Sequence, residues 1–333
     1  MSQQLVVGID IGGTNTKFGI VDRRGNILCD GRMLTNQHEE VADFLDELHG
    51  HLSKLIEQVG GIDNIRGIGV GAPNGNFYTG NVEYAPNLRW KGIVPLANLL
   101  GEKFGLPTVL TNDANAAALG ELIYGAAKGM KDFIVITLGT GVGSGIVANG
   151  QLIYGHDGFA GELGHCIVIP GGRLHPGTGA HGSLEAYASA TGVTNTALEF
   201  LAERPDVKST LRDHPKEEIN SKLVFEAAMA GDPLAREVYE FTGKILGEAL
   251  ANFVMFSSPE AIILFGGLTK AGDLIMKPVR EHMEMNLLPI FQNKVKLVFS
   301  ELKESDAAIL GASALAWEQQ NAKYQVPNTK MGE

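Results

Sequence analysis

Cysteine is nearly missing: Cys29 and Cys166 are the only two in 333 residues. So few thiols exclude a disulfide scaffold and fit a reducing compartment. Long apolar runs are missing as well, and no stretch approaches the length of a membrane span. The opening Met-Ser-Gln-Gln has neither the basic segment nor the apolar core of an export signal, so a cytoplasmic location is expected. Nor is there a block of basic residues: 27 Lys and Arg are scattered against 38 Asp and Glu, for a net charge of −11. An acidic surface repels nucleic acid and anionic membranes, and neither is expected as a partner.

Glycine is abundant instead, with 43 residues. They gather in short runs between apolar segments, where unusual backbone angles or close ligand approach are needed. At 44% hydrophobic and 20% charged the chain can bury ordinary cores, and its length predicts two lobes rather than one.

Residues 5–10, 16–22 and 27–34 read as three strands joined by a Gly-rich turn at 11–15 and by Arg23-Arg24-Gly25-Asn26, an antiparallel start to a sheet. Between 39 and 59, Val41, Phe44, Leu45, Leu48, Leu52, Leu55 and Ile56 recur at helical spacing. Strands are expected at 65–70 and 109–111, with a helix between them at about 93–104. The opening pattern then returns: apolar 133–138, glycine-rich 139–145, apolar 146–148, and an Asn149-Gly150 turn into 152–154. This repeat marks the first hairpins of two related α/β lobes. Residues 165–183 read as a loop, 223–230 and 234–256 as helices, and 262–265 and 295–299 as strands. A final helix over 306–319 carries small residues at Gly311 to Ala314, and the polar tail is expected to be loose.

Five segments can carry chemistry. In Gly8-Ile9-Asp10-Ile11-Gly12-Gly13-Thr14-Asn15 a strand delivers Asp10 into a turn whose backbone N–H groups can meet an anion. Thr14 and Lys17 add donors, and a carboxylate beside a phosphate is a place for Mg²⁺; an ordinary hairpin is the plain alternative. The spacing is not that of a P-loop. Gly139-Thr140-Gly141-Val142-Gly143-Ser144-Gly145 suits a second phosphate clamp, and two such hairpins can hold one nucleotide from both sides of a cleft. At Asn112-Asp113 a strand ends and an alanine-rich helix begins. Asp113 can cap that helix or, at the carboxyl end of a strand, take a hydroxyl proton. Glu162, His165 and Glu185 lie in glycine-lined loops and can accept hydrogen bonds from sugar hydroxyls, or simply be solvated charge. An apolar strand ending at Gly266-Gly267 leaves room for a flat adenine, or for a tight turn.

In this order the five segments resemble the ROK family (repressors, uncharacterised reading frames and sugar kinases), over about residues 6–317; the segment Ala85-Pro86-Asn87-Leu88 with Trp90 is similar to its glucokinase branch. The resemblance implies an α/β fold of two actin-like (ribonuclease H-like) lobes, with mixed sheets flanked by helices and the active site in the cleft between them. The expected lobes are 1–115, completed by a C-terminal helix at about 304–320, and 116–303, which holds the second hairpin, the sugar loops and dimerisation helices; 321–333 is the tail. The resemblance implies ATP and Mg²⁺ as cofactors, with Asp113 as catalytic base. It assigns Asn112, Glu162, His165 and Glu185 to sugar, with Asn74 and Asn87 nearby. Asp10 would serve Mg²⁺, through water. Gly12, Gly13, Thr14, Asn15, Lys17, Gly139, Thr140, Gly141, Gly266 and Gly267 would hold the nucleotide. Homodimers or homotetramers are common in the family.

One departure concerns structural zinc. The family pattern has cysteines where this chain has Pro176, Thr178 and Ser183, so zinc is not expected; His165, Cys166, His175 and His181 are the residues from which a replacement site would be built. A sugar-responsive repressor would carry a DNA-binding segment before the first hairpin; with the hairpin starting at Val6, a repressor is not expected. ATP-dependent phosphorylation of the 6-hydroxyl of glucose is the expected function. A kinase for N-acetylglucosamine or N-acetylmannosamine, or a sugar sensor without catalysis, is the alternative. Asn74 stands where related glucokinases often have glycine.

Overall fold

A strand buried on both faces reads as an unbroken apolar run, and Leu-Val-Val-Gly-Ile-Asp-Ile does so over β1 (Leu5–Ile11). β2 (Asn15–Asp22) and β3 (Ile27–Leu34) follow as antiparallel hairpins. Next come α1 (Val41–Gln58), β4 (Ile65–Ala72), the short pair β5 (Val82–Glu83) and β6 (Ile93–Val94), α2 (Leu96–Phe104) and β7 (Thr108–Asn112). The first sheet has the order β3-β2-β1-β4-β7, with β1, β4 and β7 parallel. Phe44, Leu48 and Leu52 of α1 and Leu96 and Leu100 of α2 are buried in its core. This computed structural model describes residues 4–320; the tail expected to be loose lies outside the described residues.

The second sheet repeats the plan. α3 (Asp113–Tyr124) leads to β8 (Phe133–Leu138), β9 (Val142–Ala148) and β10 (Gln151–Leu152). A long crossover then carries α4 (Glu185–Ala188), α5 (Ala190–Glu203), α6 (Ser221–Met229) and α7 (Pro233–Ser257). β11 (Ala261–Phe265), α8 (Asp273–Asn286), β12 (Lys296–Phe299) and α9 (Glu304–Gln320) complete the chain. The order is β10-β9-β8-β11-β12, with two antiparallel pairs and two parallel pairs in the same places as in the first sheet.

The helix that follows each sheet packs on the other one. α3 rests on β9: a side chain at Gly143 or Gly145 would meet Ala114 or Ala118 at 2.9 and 2.6 Å. α9 rests on β1 and β4, where a Cβ at Gly8 would lie 2.3 Å from the Ile309 carbonyl and one at Gly69 1.9 Å from that of Ala312. The two helices cross each other at Gly120 and Gly311. Small residues are required wherever backbones approach this closely.

Several expectations are corrected. Residues 93–104 are not one helix: Ile93 and Val94 pair with β5, and α2 begins only after Pro95. Proline drives the preceding residue to extended geometry, which ends the strand and delays the helix. The glycine run 139–145 is a turn only over 139–141; Gly143 and Gly145 belong to β9 and serve helix packing. Three helices went unread, one of them the single-turn α4. In α5 the start is masked by a glycine, although the Ser189 hydroxyl caps it by accepting from Gly192 N–H at 3.0 Å. In α8 an internal Pro278 argues against helix, yet it packs into α7 at Gly243. The loop 165–183 folds back on itself through the bridges Ile167↔Ser183 and Leu174↔His181. Among the described residues no helix is long and apolar enough to cross a membrane.

Candidate active site

A cleft of about 390 Å³ opens between the carboxyl ends of the two sheets. Its walls carry Asn74, Asn87, Asn112 and Asp113 from the first half, and Gly139, Thr140, Gly141, Glu162, His165, Glu185 and Gly266 from the second. Eleven residues singled out from sequence thus converge on one space, in agreement with the rule that α/β sheets hold ligands beyond their strand ends.

Asp113 is the first residue of α3, directly after β7. The capping role belongs to its neighbour: Asn112 is the N-cap, and its Oδ1 accepts from Ala114 N–H at 2.8 Å. Asp113 Oδ1 accepts from the same N–H at 2.8 Å. The Asp113 side chain is ringed by protein but open to the cleft, and this burial raises its pKa, opposed by hydrogen bonds from the backbone N–H of Ala114 and from its own. A carboxylate made more basic while facing solvent is suited to receive a proton.

Asp10 stands behind it. It lies in β1 opposite Lys17 of β2 and Gly71 of β4, and Gly71 stands between it and Asp113. Burial first, and the Asp113 charge second, push Asp10 up to about 7, against the pull of Lys17. The remaining residues of this hairpin, Gly12, Gly13, Thr14, Asn15 and Lys17, do not line the cleft with the eleven. The hairpin is instead fixed beside it: Gly12 N–H donates to Asn15 O at 2.9 Å, and at Gly13 a Cβ would meet the Asn87 carbonyl at 2.8 Å.

The raised Asp10 has a consequence for stability. Below its unfolded pKa both states are protonated and there is no effect; between about 4 and 7 the folded state binds more protons, so stability falls as pH rises, and above about 7 the penalty is complete. Asp10→Asn should therefore raise the melting temperature of the ligand-free protein at pH 8 and not at pH 4. An equal shift at both values, read by thermal unfolding, would contradict the assignment.

On the opposite wall, Ser144 of β9 holds the loop bearing Glu162. Its hydroxyl donates to the Gly161 carbonyl and accepts from Leu163 N–H at 3.1 Å. Burial raises the Glu162 pKa, with His165 opposing and Asp113 and Glu185 adding to the rise. His165 lies 3.8 Å from Glu162, too far for a hydrogen bond. Glu185 opens α4, and its Oε2 accepts from Val142 N–H at 2.7 Å. A Cβ at Gly141 would fall 2.4 Å from that oxygen, so a larger residue there would push the Glu185 carboxylate aside. Asn74 has φ +50 and donates to Glu83 O at 3.0 Å. Among side-chain-bearing residues asparagine is one of those that adopt this left-handed backbone most readily.

A second cavity of about 560 Å³ lies beyond the second hairpin and is lined by Gly139, Thr140, Lys222, Phe225, Gly267 and Lys270, among others. Gly266 (φ +107) brings its strand end within 2.6 Å, as a Cβ would see it, of the Leu138 carbonyl. Lys222, Phe225 and Thr137 escaped the sequence reading because nothing local distinguishes them from helix surface or strand core, whereas Ser144, expected in the phosphate clamp, turns its hydroxyl to the Glu162 loop instead.

The donor set of the 165–183 loop does not fit structural zinc, which is bound by thiolates and imidazoles. Pro176 offers no ligand, Thr178 is bonded to His175, and Ser183 is fully buried. His181 Nδ1 pairs with the Gly172 carbonyl at 3.0 Å, and Cys166 is exposed. Among the described residues no three His, Cys, Asp or Glu side chains form a metal-binding group.

Duplicated sheets, exchanged helices and a cleft walled by carboxylates and a glycine hairpin define the two-lobed architecture of sugar kinases. The chain belongs to the ROK family, whose model matches residues 6–319. It is 38% identical to a glucokinase of Halalkalibacterium halodurans, across 97% of this chain and 98% of that protein. It is 32% identical to a glucokinase of Thermotoga maritima, across 95% and 98%. Among solved structures it resembles a ROK family glucokinase from Streptomyces griseus in complex with glucose and AMPPNP, at 33% identity and a TM-score of 0.78, across 94% of this chain and 99% of that one.

Proposed function

We propose that this protein is an ATP-dependent hexose kinase that phosphorylates the 6-hydroxyl of glucose. The observation that carries this reading is the position of Asp113: a basic carboxylate at a strand end, facing the glycine hairpin and three polar side chains, Glu162, His165 and Glu185, across one cleft. Likeness to glucokinases over nearly the whole chain supports it.

In this reading Glu162, His165, Glu185 and Asn112 hold the sugar hydroxyls, with Asn74 and Asn87 closing one side. Gly139, Thr140 and Gly141 present backbone N–H groups to the phosphates, and the adenosine occupies the cavity beside Gly267 and Phe225. Asp113 accepts the proton of the 6-hydroxyl as its oxygen bonds to the γ-phosphorus and the bond to the β,γ-bridging oxygen breaks. Mg²⁺ would be held near Asp10, the carboxylate that stands behind Asp113 at the end of β1. When bound, it neutralises phosphate charge.

A second reading, a kinase of N-acetylated amino sugars, is favoured by an adjoining cavity of about 400 Å³ lined by His165, His175, Gly177, Glu185 and Asn195, which offers room beyond a bare hexose. ADP release measured across glucose, mannose, fructose and the two N-acetylated sugars should be greatest with glucose; no release with any of them would remove the kinase reading. We further take the enzyme to act as a homodimer or homotetramer in the cytoplasm, a reading supported by two free cysteines and by exposed apolar side chains at Phe256, Met285 and Ile290.

A further inference from the structure

The loop that lacks zinc ligands is not loose. Arg173 ties it to the helices behind: its Nε donates to Glu199 Oε1 at 2.9 Å and its Nη2 to Oε2 at 2.5 Å, while Nη1 reaches the Ala186 carbonyl at 2.5 Å. The guanidinium lies 4.5 Å from the centre of the Tyr187 ring, whose hydroxyl accepts from Arg173 N–H at 2.7 Å. A bidentate, stacked arginine fixes both position and plane.

From that anchored base a chain of hydrogen bonds runs to the cleft. Ala180 N–H donates to Thr178 Oγ1 at 3.3 Å. Thr178 Oγ1 lies 2.9 Å from His175 Nδ1, and His175 Nε2 lies 2.5 Å from Glu185 Oε1. The Glu185 carboxylate can only accept, which assigns a proton to Nε2; in the neutral ring Nδ1 is then the acceptor and the Thr178 hydroxyl donates to it. Glu185 Oε2 is held from the other side by Val142 N–H of the glycine hairpin. His175 and Glu185 are only 18% and 16% exposed, so water competes weakly for this contact. Each carboxylate oxygen has one protein donor and keeps a lone pair for a sugar hydroxyl.

We propose that His175 is a positioning residue that sets Glu185 for sugar, so that the Thr178–His175–Glu185 relay, with the Arg173 clamp beneath it, performs without metal the ordering for which other family members use zinc. The proposal rests on the reading of Glu185 as a sugar ligand and goes beyond it by assigning what orients that ligand. Loss of the Nε2 donor frees a carboxylate that must then be ordered by the substrate itself, which lowers sugar affinity more than nucleotide affinity.

The test uses the full chain with Mg²⁺ in excess. His175→Ala should raise the glucose KM by about ten- to a hundredfold, the loss expected for one charge-assisted hydrogen bond, and change the ATP KM far less. His175→Gln, whose amide nitrogen can replace Nε2, should recover most of the loss, which a merely structural role would not allow. Metal analysis of the purified protein should find zinc far below one per chain, and 1,10-phenanthroline should leave melting temperature and activity unchanged. A stoichiometric zinc content, an unaltered glucose KM in His175→Ala, or a His175→Gln variant as impaired as the alanine would overturn the proposal. Glu185→Gln separates the two levels: if it alone raises the glucose KM, the relay fails and the sugar site stands; if it too leaves that KM unchanged, the sugar site itself has been misread.

Discussion

Replacing Asp113 by Asn lowers turnover by about 10²–10⁴, the usual worth of a positioned general base, while glucose binding stays within a few-fold of the original. The substitution keeps the shape and the acceptor oxygen that meets Ala114 N–H at 2.8 Å, and the helix retains its own cap on Asn112. What it removes is the capacity to hold a proton. Because the carboxylate is driven toward greater basicity by its surroundings, that capacity is the property the site has been built to enhance. Glucose affinity measured by calorimetry beside the steady-state rate of ADP release separates the two contributions. Undiminished turnover in the Asp113→Asn variant would remove the base assignment. A collapse of sugar binding would show that Asp113 holds the ground state instead.

The second large effect is on stability. Gly69→Ala should cost on the order of 3 kcal/mol, near the upper end for overpacked sites. The added methyl would lie 1.9 Å from the Ala312 carbonyl and the next nearest atom is Ala316 N at 2.9 Å, both backbone of α9. Neither can rotate away, so β4 and α9 must separate or the strand must bend. Gly50→Ala is the matched comparison: it sits within α1, nothing lies within 4 Å of its would-be Cβ, and its replacement should stabilise by about 0.5–1 kcal/mol. Urea denaturation of the three proteins checks both signs. A harmless Gly69→Ala would mean that α9 does not lie on the first sheet as described.

How much of this was legible beforehand differs from residue to residue. Asp113 was readable because a strand end, an acid and a helix start are consecutive in sequence; which of Asn112 and Asp113 does the capping was not, because either side chain can reach the same N–H. Gly139 and Gly141 were readable as a turn. Gly143 and Gly145 looked the same on paper, yet they admit α3, a packing partner that no local pattern names. Lys222 carried no local sign of any kind, and Ser144, which looked like part of the clamp, braces the Glu162 loop instead. His175 looked like a stray metal ligand, and only its distances to Thr178 and Glu185 give it work.

The amino-acid order alone determined the strands of the two main sheets, the repeated hairpin, most helices and the candidate for the reactive carboxylate. These follow from side-chain periodicity and backbone freedom, which act over a few neighbouring residues. The folded arrangement decided the rest: that the two terminal helices change places between sheets, that eleven scattered residues share one cleft, and that a histidine and a threonine hold Glu185. Those outcomes depend on which surfaces meet, and contacts between distant segments leave no imprint on the spacing of residues within either one.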